Sequence, residues 1–135
     1  REMAELLSEL NAGIFIVDPY HNVSQTDVKN NTERFIDILC SAHPKTPVFM
    51  LGAPQTLTAW LKPEEKADQD AKTTLYGKLC RKMMKKYANL YYLKGENFYG
   101  SDEVSMDGVH PNDEAFSHMA SILAREIPKH IDKKR

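Results

Sequence analysis

The chain has 135 residues, 41% of them hydrophobic, a size and apolar content that suit one domain built around one core. With 18 basic residues against 19 acidic ones its formal net charge is -1, so no bulk field draws it to nucleic acid or to an anionic membrane. No run approaches the roughly 18 apolar residues that a spanning helix needs, which argues against a membrane span.

Met3, Leu6, Leu7 and Leu10 recur at helical spacing, and Asn11-Ala12-Gly13 supplies a helix stop. Ile14, Phe15, Ile16 and Val17 then form an unbroken apolar, β-branched run, the composition of a parallel strand covered on both faces, which Asp18-Pro19 ends. Ser24 with Asp27 three residues on predicts a capping box, and Val28, Thr32, Phe35, Ile36 and Leu39 mark one face of the helix that follows. Pro47-Val48-Phe49-Met50-Leu51 read as a second buried strand. Residues 52–66, with two prolines and Trp60, are expected to form a long loop beyond its carboxyl end.

Leu75, Leu79, Met83 and Tyr87 stripe a third helix whose opposite face carries Lys78, Arg81, Lys82, Lys85 and Lys86. That basic face is read as solvated rather than as a nucleic-acid patch, because the chain is nearly neutral. Leu90-Tyr91-Tyr92-Leu93 gives a third strand. A loop through Gly95 and Gly100 leads to a last helix with Ala115, Phe116, Met119, Ile122, Leu123 and Ile127 as its buried stripe, and residues 129–135 are expected to fray. Strands alternating with helices predict an α/β fold, a parallel sheet sandwiched between helical layers and joined by right-handed crossovers. In such sheets sites lie beyond the carboxyl ends of the strands. Two polar clusters fall there: residues 18–24 after the first strand and residues 107–110 after the third.

The second cluster sits in "SMDGVHPNDEAF". An imidazole acts as a general base only when its tautomer and tilt are fixed, and a carboxylate accepting from the far ring N–H does both. Asp107 stands where it can do this for His110, with Gly108 easing the bend. The same spacing also suits a turn or helix cap at Asp107, with His110 packed on Pro111. Asn22, just past the first strand, can present its amide to a developing oxyanion, or equally serve an Asx-turn.

Together these clusters resemble the SGNH hydrolases, also called GDSL esterases and lipases. The Asp-x-x-His-Pro of Asp107, His110 and Pro111 and the closing helix are similar to that family's last block, and Asn22 in "VDPYHNVS" to its Asn block, over residues 12–127. The resemblance implies a three-layer α/β/α sandwich of the flavodoxin-like SGNH type. It implies acyl transfer from a small-molecule or carbohydrate ester or acetyl group to water, without a cofactor or metal: His110 as base, Asp107 orienting it, Asn22 in the oxyanion hole. The family's Gly-Asp-Ser nucleophile turn has no counterpart among Ser8, Ser24, Ser41, Ser101, Ser105, Ser117 and Ser121; Gly100-Ser101-Asp102 has another order. No nucleophile is nominated.

Residues 1–135 are therefore expected to be the carboxyl-terminal portion of an SGNH hydrolase domain, lacking its first strands and nearly inert alone. Arg1-Glu2-Met3 does not read as a natural start. An open strand edge would be expected to self-associate or to pair with a missing amino-terminal segment. Two other readings stay open. A metal hydrolase would use Asp107, His110 and Asp113 as ligands. A non-catalytic ligand- or carbohydrate-binding module would use Trp60, Tyr91 and Tyr92 as platforms. Cys40 and Cys80 lack the spacing of a redox pair or zinc knuckle and read as buried thiols. They leave the compartment open, as do the glycosylation triplets at Asn22 and Asn30, which have meaning only in a secreted eukaryotic chain.

Overall fold

Among the described residues the helix and strand periods give α1 (Glu2–Ser8), β1 (Phe15–Val17), a 3-10 turn (Tyr20–Asn22), α2 (Gln25–Ala42), β2 (Val48–Leu51), α3 (Pro63–Met84), β3 (Leu90–Leu93) and α4 (Asp113–Ile131). The computed structural model describes residues 2–54, 56, 61–100, 105 and 107–131. They divide into two units, Arg1–Gly52 with Ala71–Lys94, and Ala53–Asp70 with Gly95–Arg135.

In the first unit β1, β2 and β3 lie side by side in sequence order, both pairs parallel, with Phe15 opposite Val48 and Val48 opposite Leu90. The two-residue period of a strand then sends Phe15, Val17, Val48, Met50, Leu90 and Tyr92 to one face. There they meet Val28, Ile36, Leu39 and Cys40 of α2 and Tyr76, Cys80 and Met83 of α3 in a single apolar core. β2 is central and buried at all four residues. Asn89 ties the approaches to β2 and β3 by donating its amide to the carbonyls of His43 and Thr46, each at 2.8 Å. The capping box at α2 forms as its sequence requires: the Ser24 hydroxyl accepts from the Asp27 N–H while the Asp27 carboxylate accepts from the Ser24 N–H.

Three expectations change. β1 is not covered on both faces: Ile16, on the face opposite the core, is 47% exposed, and among the described residues no strand pairs with the outer edge of β1. A short apolar run signals a strand, but it does not say whether both faces are covered. A helix also reaches into the segment expected as a loop, since α3 begins at Pro63 and runs 22 residues. A proline suits the first turn of a helix, where its missing N–H costs nothing, and Glu64 and Glu65 complement the positive end of the dipole. Trp60 lies outside the described residues.

The third change is in the second unit. Of the stripe expected on α4, Ala115 is buried and Phe116 is 57% exposed, with Met119, Ile122, Leu123 and Ile127 half-buried. Asn112 caps this helix, its side-chain oxygen accepting from the Ala115 N–H at 3.0 Å. The helix continues through Ile131, past the point where fraying was expected, with Lys129 paired to Glu126 at 2.8 Å; residues 132–135 lie outside the described set.

Candidate active site

The turn before α4 is built around one carboxylate. Oδ1 of Asp107 accepts from the backbone N–H groups of Val109 (2.9 Å) and His110 (2.8 Å), closing the bend, while Oδ2 faces Nδ1 of the His110 ring at 2.5 Å. The turn-capping and ring-orienting readings, alternatives in the sequence, are here two oxygens of the same group. Gly108 sits at φ +82°, the left-handed region that other residues enter only with strain, so the bend needs its glycine. Two hydroxyls brace the carbonyl side: Ser105 donates to the His110 carbonyl at 2.8 Å and Tyr99 to that of Val109 at 3.3 Å. Ser105 also pairs with Pro111 in a short antiparallel bridge. Sequence reasoning passed over both hydroxyls.

The imidazole bond, then the two backbone N–H bonds, hold the Asp107 carboxyl well below the usual carboxylate range. Asp107 is therefore ionised and can only accept, which puts the proton of the Asp107/His110 contact on Nδ1; in a neutral imidazole the lone pair is then on Nε2. The His110 side chain is 80% exposed, so that lone pair opens to solvent. Chemically this is an oriented base.

Asn22 belongs to the first unit and ends the 3-10 turn after β1; its N–H donates to the Pro19 carbonyl at 3.1 Å, and it is exposed. It opens on a groove of about 650 Å³ beside β1, with Leu7, Ile16, Val17, Phe35 and Met50 among its apolar walls and Asp18 and Asn31 among its polar ones. Burial of part of the group raises the Asp18 carboxyl, against the pull of the neighbouring His21 ring and the Tyr20 N–H, while the residue as a whole stays exposed. Tyr20, just before Asn22, is 1% exposed: its hydroxyl bonds Thr73 at 2.7 Å and its ring lies under the Lys72 ammonium at 4.1 Å. Lys72 also donates to the carbonyls of Tyr20 (3.1 Å) and Val23 (2.9 Å). None of these α3 contacts was foreseen, since nothing in the spacing of Lys72 or Thr73 points to residue 20.

Among the described residues no three His, Cys, Asp or Glu side chains gather to hold a metal, and Asp107, His110 and Asp113 do not form such a group. Tyr91 stacks on Phe49 at 4.8 Å, and Tyr92 packs on the core and lies under Arg81, so neither is a bare platform. The basic face of α3 turns partly to α2, with Lys82 paired to Glu33 and Lys86 to Asp37, each at 2.7 Å. Cys40 and Cys80 are free and buried, and burial pushes both thiols up to about 12, which leaves them inert. Among the described residues no helix is long and apolar enough to cross a membrane.

The class that the fold defines is an α/β protein with a parallel sheet, here with an Asp/His pair on a loop after β3. The chain belongs to the GDSL-like Lipase/Acylhydrolase family, which it matches over residues 1–128. Among solved structures, it is similar to a Bacteroides ovatus protein assigned as a GDSL-like lipase: TM-score 0.89, 28% identity, 97% of this chain against 40% of that one. Its fold is also that of the salicylyl-acyltransferase SsfX3 of a tetracycline biosynthetic pathway, with TM-score 0.74 and 20% identity over 94% of this chain and 40% of that one. The chain thus spans about 40% of the length of either structure. No curated protein sequence shows a significant match.

Proposed function

We propose that these residues carry the proton-transfer and oxyanion half of a serine-type site that moves an acyl group from an ester or acetyl substrate to water. His110 is the base, Asp107 orients it, and Asn22 donates to the carbonyl oxygen. The observation that carries this reading is an imidazole gripped at Nδ1 by an ionised carboxylate yet open to solvent at its other nitrogen. A histidine kept for packing would be covered. Membership of an acylhydrolase family supports the same assignment.

In this scheme an attacking hydroxyl passes its proton to Nε2 as its oxygen bonds the acyl carbon. The carbonyl oxygen becomes an anion that accepts from the Asn22 amide, while Asp107 stabilises the imidazolium. His110 then returns the proton to the leaving oxygen as the ester bond breaks, and a water repeats the sequence to free the acid. The hydroxyl itself we assign to residues outside these 135. They form the carboxyl-terminal portion of a larger hydrolase domain, in which another strand pairs with the open edge of β1 beside the groove. The exposed Ile16 and the 40% coverage of both solved structures support this.

The test is hydrolysis of p-nitrophenyl acetate, run on this chain alone and on the polypeptide encoded by the gene that contains it. The longer polypeptide is expected to turn over the ester and to lose on the order of 10,000-fold on His110→Ala, the chain alone to stay near background. An inert longer polypeptide would end the hydrolase reading. Turnover by the chain alone, abolished by the same substitution, would move the nucleophile inside it.

A further inference from the structure

An oxyanion donor works only if it is already aimed when charge develops, because a side chain that must reorganise gives back most of what it gains. The turn that carries Asn22 is poorly equipped to hold itself. It is three residues long, with short local bonds from the Asn22 N–H to the Pro19 carbonyl and from the Tyr20 N–H to the Asp18 carboxylate. Longer-range support comes from α3.

We infer that Lys72, with Thr73 beside it, is a positioning residue for Asn22. The ammonium of Lys72 donates to the carbonyls of Tyr20 and Val23, two residues before Asn22 and one after it, at 3.1 and 2.9 Å. One cation therefore ties the backbone on both sides of the donor to a helix, through charge-assisted bonds about twice as strong as neutral ones. The same ammonium sits 4.1 Å from the centroid of the Tyr20 ring, and Thr73 holds the hydroxyl of that ring at 2.7 Å. Tyr20 is 1% exposed and meets Tyr76 edge-on at 6.4 Å, so the anchor is itself seated in the core. Asn22 is thus the exposed tip of a turn whose flanking carbonyls and preceding side chain are bonded to two successive residues of one helix. Lys72 touches no reacting atom in this scheme. It acts through the backbone that aims Asn22.

The inference rests on the acyl-transfer reading of Asn22, and the test separates the two. Hydrogen exchange on the 135-residue chain reads the clamp without any chemistry: Lys72→Met is expected to speed exchange of the Asn22 amide by about tenfold or more, leaving β2 amides unchanged. Ester hydrolysis by the longer polypeptide reads the consequence. Lys72→Met is expected to lower kcat by about 10- to 100-fold with little change in KM, and Lys72→Arg, which keeps charge and donors, to recover part of that loss. The loss should vanish in an Asn22→Ala background, since a donor already removed cannot be misaimed. Unchanged Asn22 exchange in Lys72→Met, or losses that multiply with Asn22→Ala, would overturn the role of Lys72 while leaving the hydrolase reading intact. An ester activity indifferent to Asn22→Ala, or absent in the longer polypeptide, would bring down the reading of Asn22 and the role of Lys72 with it.

Discussion

The two turns proposed to carry chemistry are held in opposite ways. The Asp107 turn closes on itself: the bonds that Tyr99, Ser105, Val109 and His110 make within it span at most ten positions, from Tyr99 to Val109 at the longest. The Asn22 turn has local bonds at Pro19 and Asp18 and is held besides by side chains 49 to 53 positions away in sequence. A base must be fixed in tautomer as well as place, and a carboxylate three residues off does both with its two oxygens. An amide donor needs only aim, which a distant helix can supply. The difference teaches that the first turn should survive much disturbance of its surroundings, whereas the second depends on the integrity of the core.

The sharpest way to break this comparison is at His110. His110→Ala removes the base and should cost on the order of 10,000-fold or more in kcat of the polypeptide that contains these residues, with circular dichroism unchanged. Asp107→Asn comes next, at about 100- to 10,000-fold, because the amide favours the wrong ring tautomer and weakens the two backbone bonds that close the bend. Asp107 also sets a pH expectation. Its carboxyl is lowered on folding, so what its bonds contribute to stability is present above the ordinary carboxylate range and is lost only as pH falls through the depressed value. A rate profile with a break near pH 4 that disappears in Asp107→Asn would contradict the strength of these bonds.

Asn22→Ala should cost about 100- to 1,000-fold in kcat, the usual loss of a single oxyanion donor. The two turns can be compared further through their braces. Ser105→Ala removes an exposed hydroxyl that bonds the His110 carbonyl and stands 3.4 Å from Asp107 Oδ1, in a turn that keeps its carboxylate, and should change kcat by less than about tenfold. If Ser105→Ala matched Asp107→Asn, the carboxylate would not be what holds the base.

What the sequence disclosed follows the same division. The Asp107 turn was legible because its causes are local: a carboxylate, a glycine and a histidine within four residues of one another. The capping box of Ser24 and Asp27 and the short apolar runs of β2 and β3 were legible for that reason too. Lys72 was illegible, since a lysine in a helix looks the same whether it meets water or two carbonyls some 50 residues upstream. Ile16 and Phe116 show the other limit. An apolar residue at the right spacing announces a face that burial would favour, but whether anything covers it depends on neighbours the period does not encode.

The smallest effect lies between the two modes, at the cap that ends the Asn22 turn and begins α2. Ser24→Ala removes the hydroxyl that accepts from the Asp27 N–H at 3.1 Å, one half of the capping box. A lost cap of this kind should lower Tm by about 3–5 °C for a chain of this length, with hydrolysis affected far less than by Asn22→Ala. The Ser24 hydroxyl and N–H bonds lower the Asp27 carboxyl, so the reciprocal half of the box is worth most when that group is ionised. Its contribution is present above the ordinary carboxylate range and fades as pH falls below it. The Tm gap between the two proteins should therefore narrow between pH 7 and pH 3. A gap that stays constant would mean that α2 is held by its core face, through Val28, Ile36 and Leu39, and that its first turn contributes little.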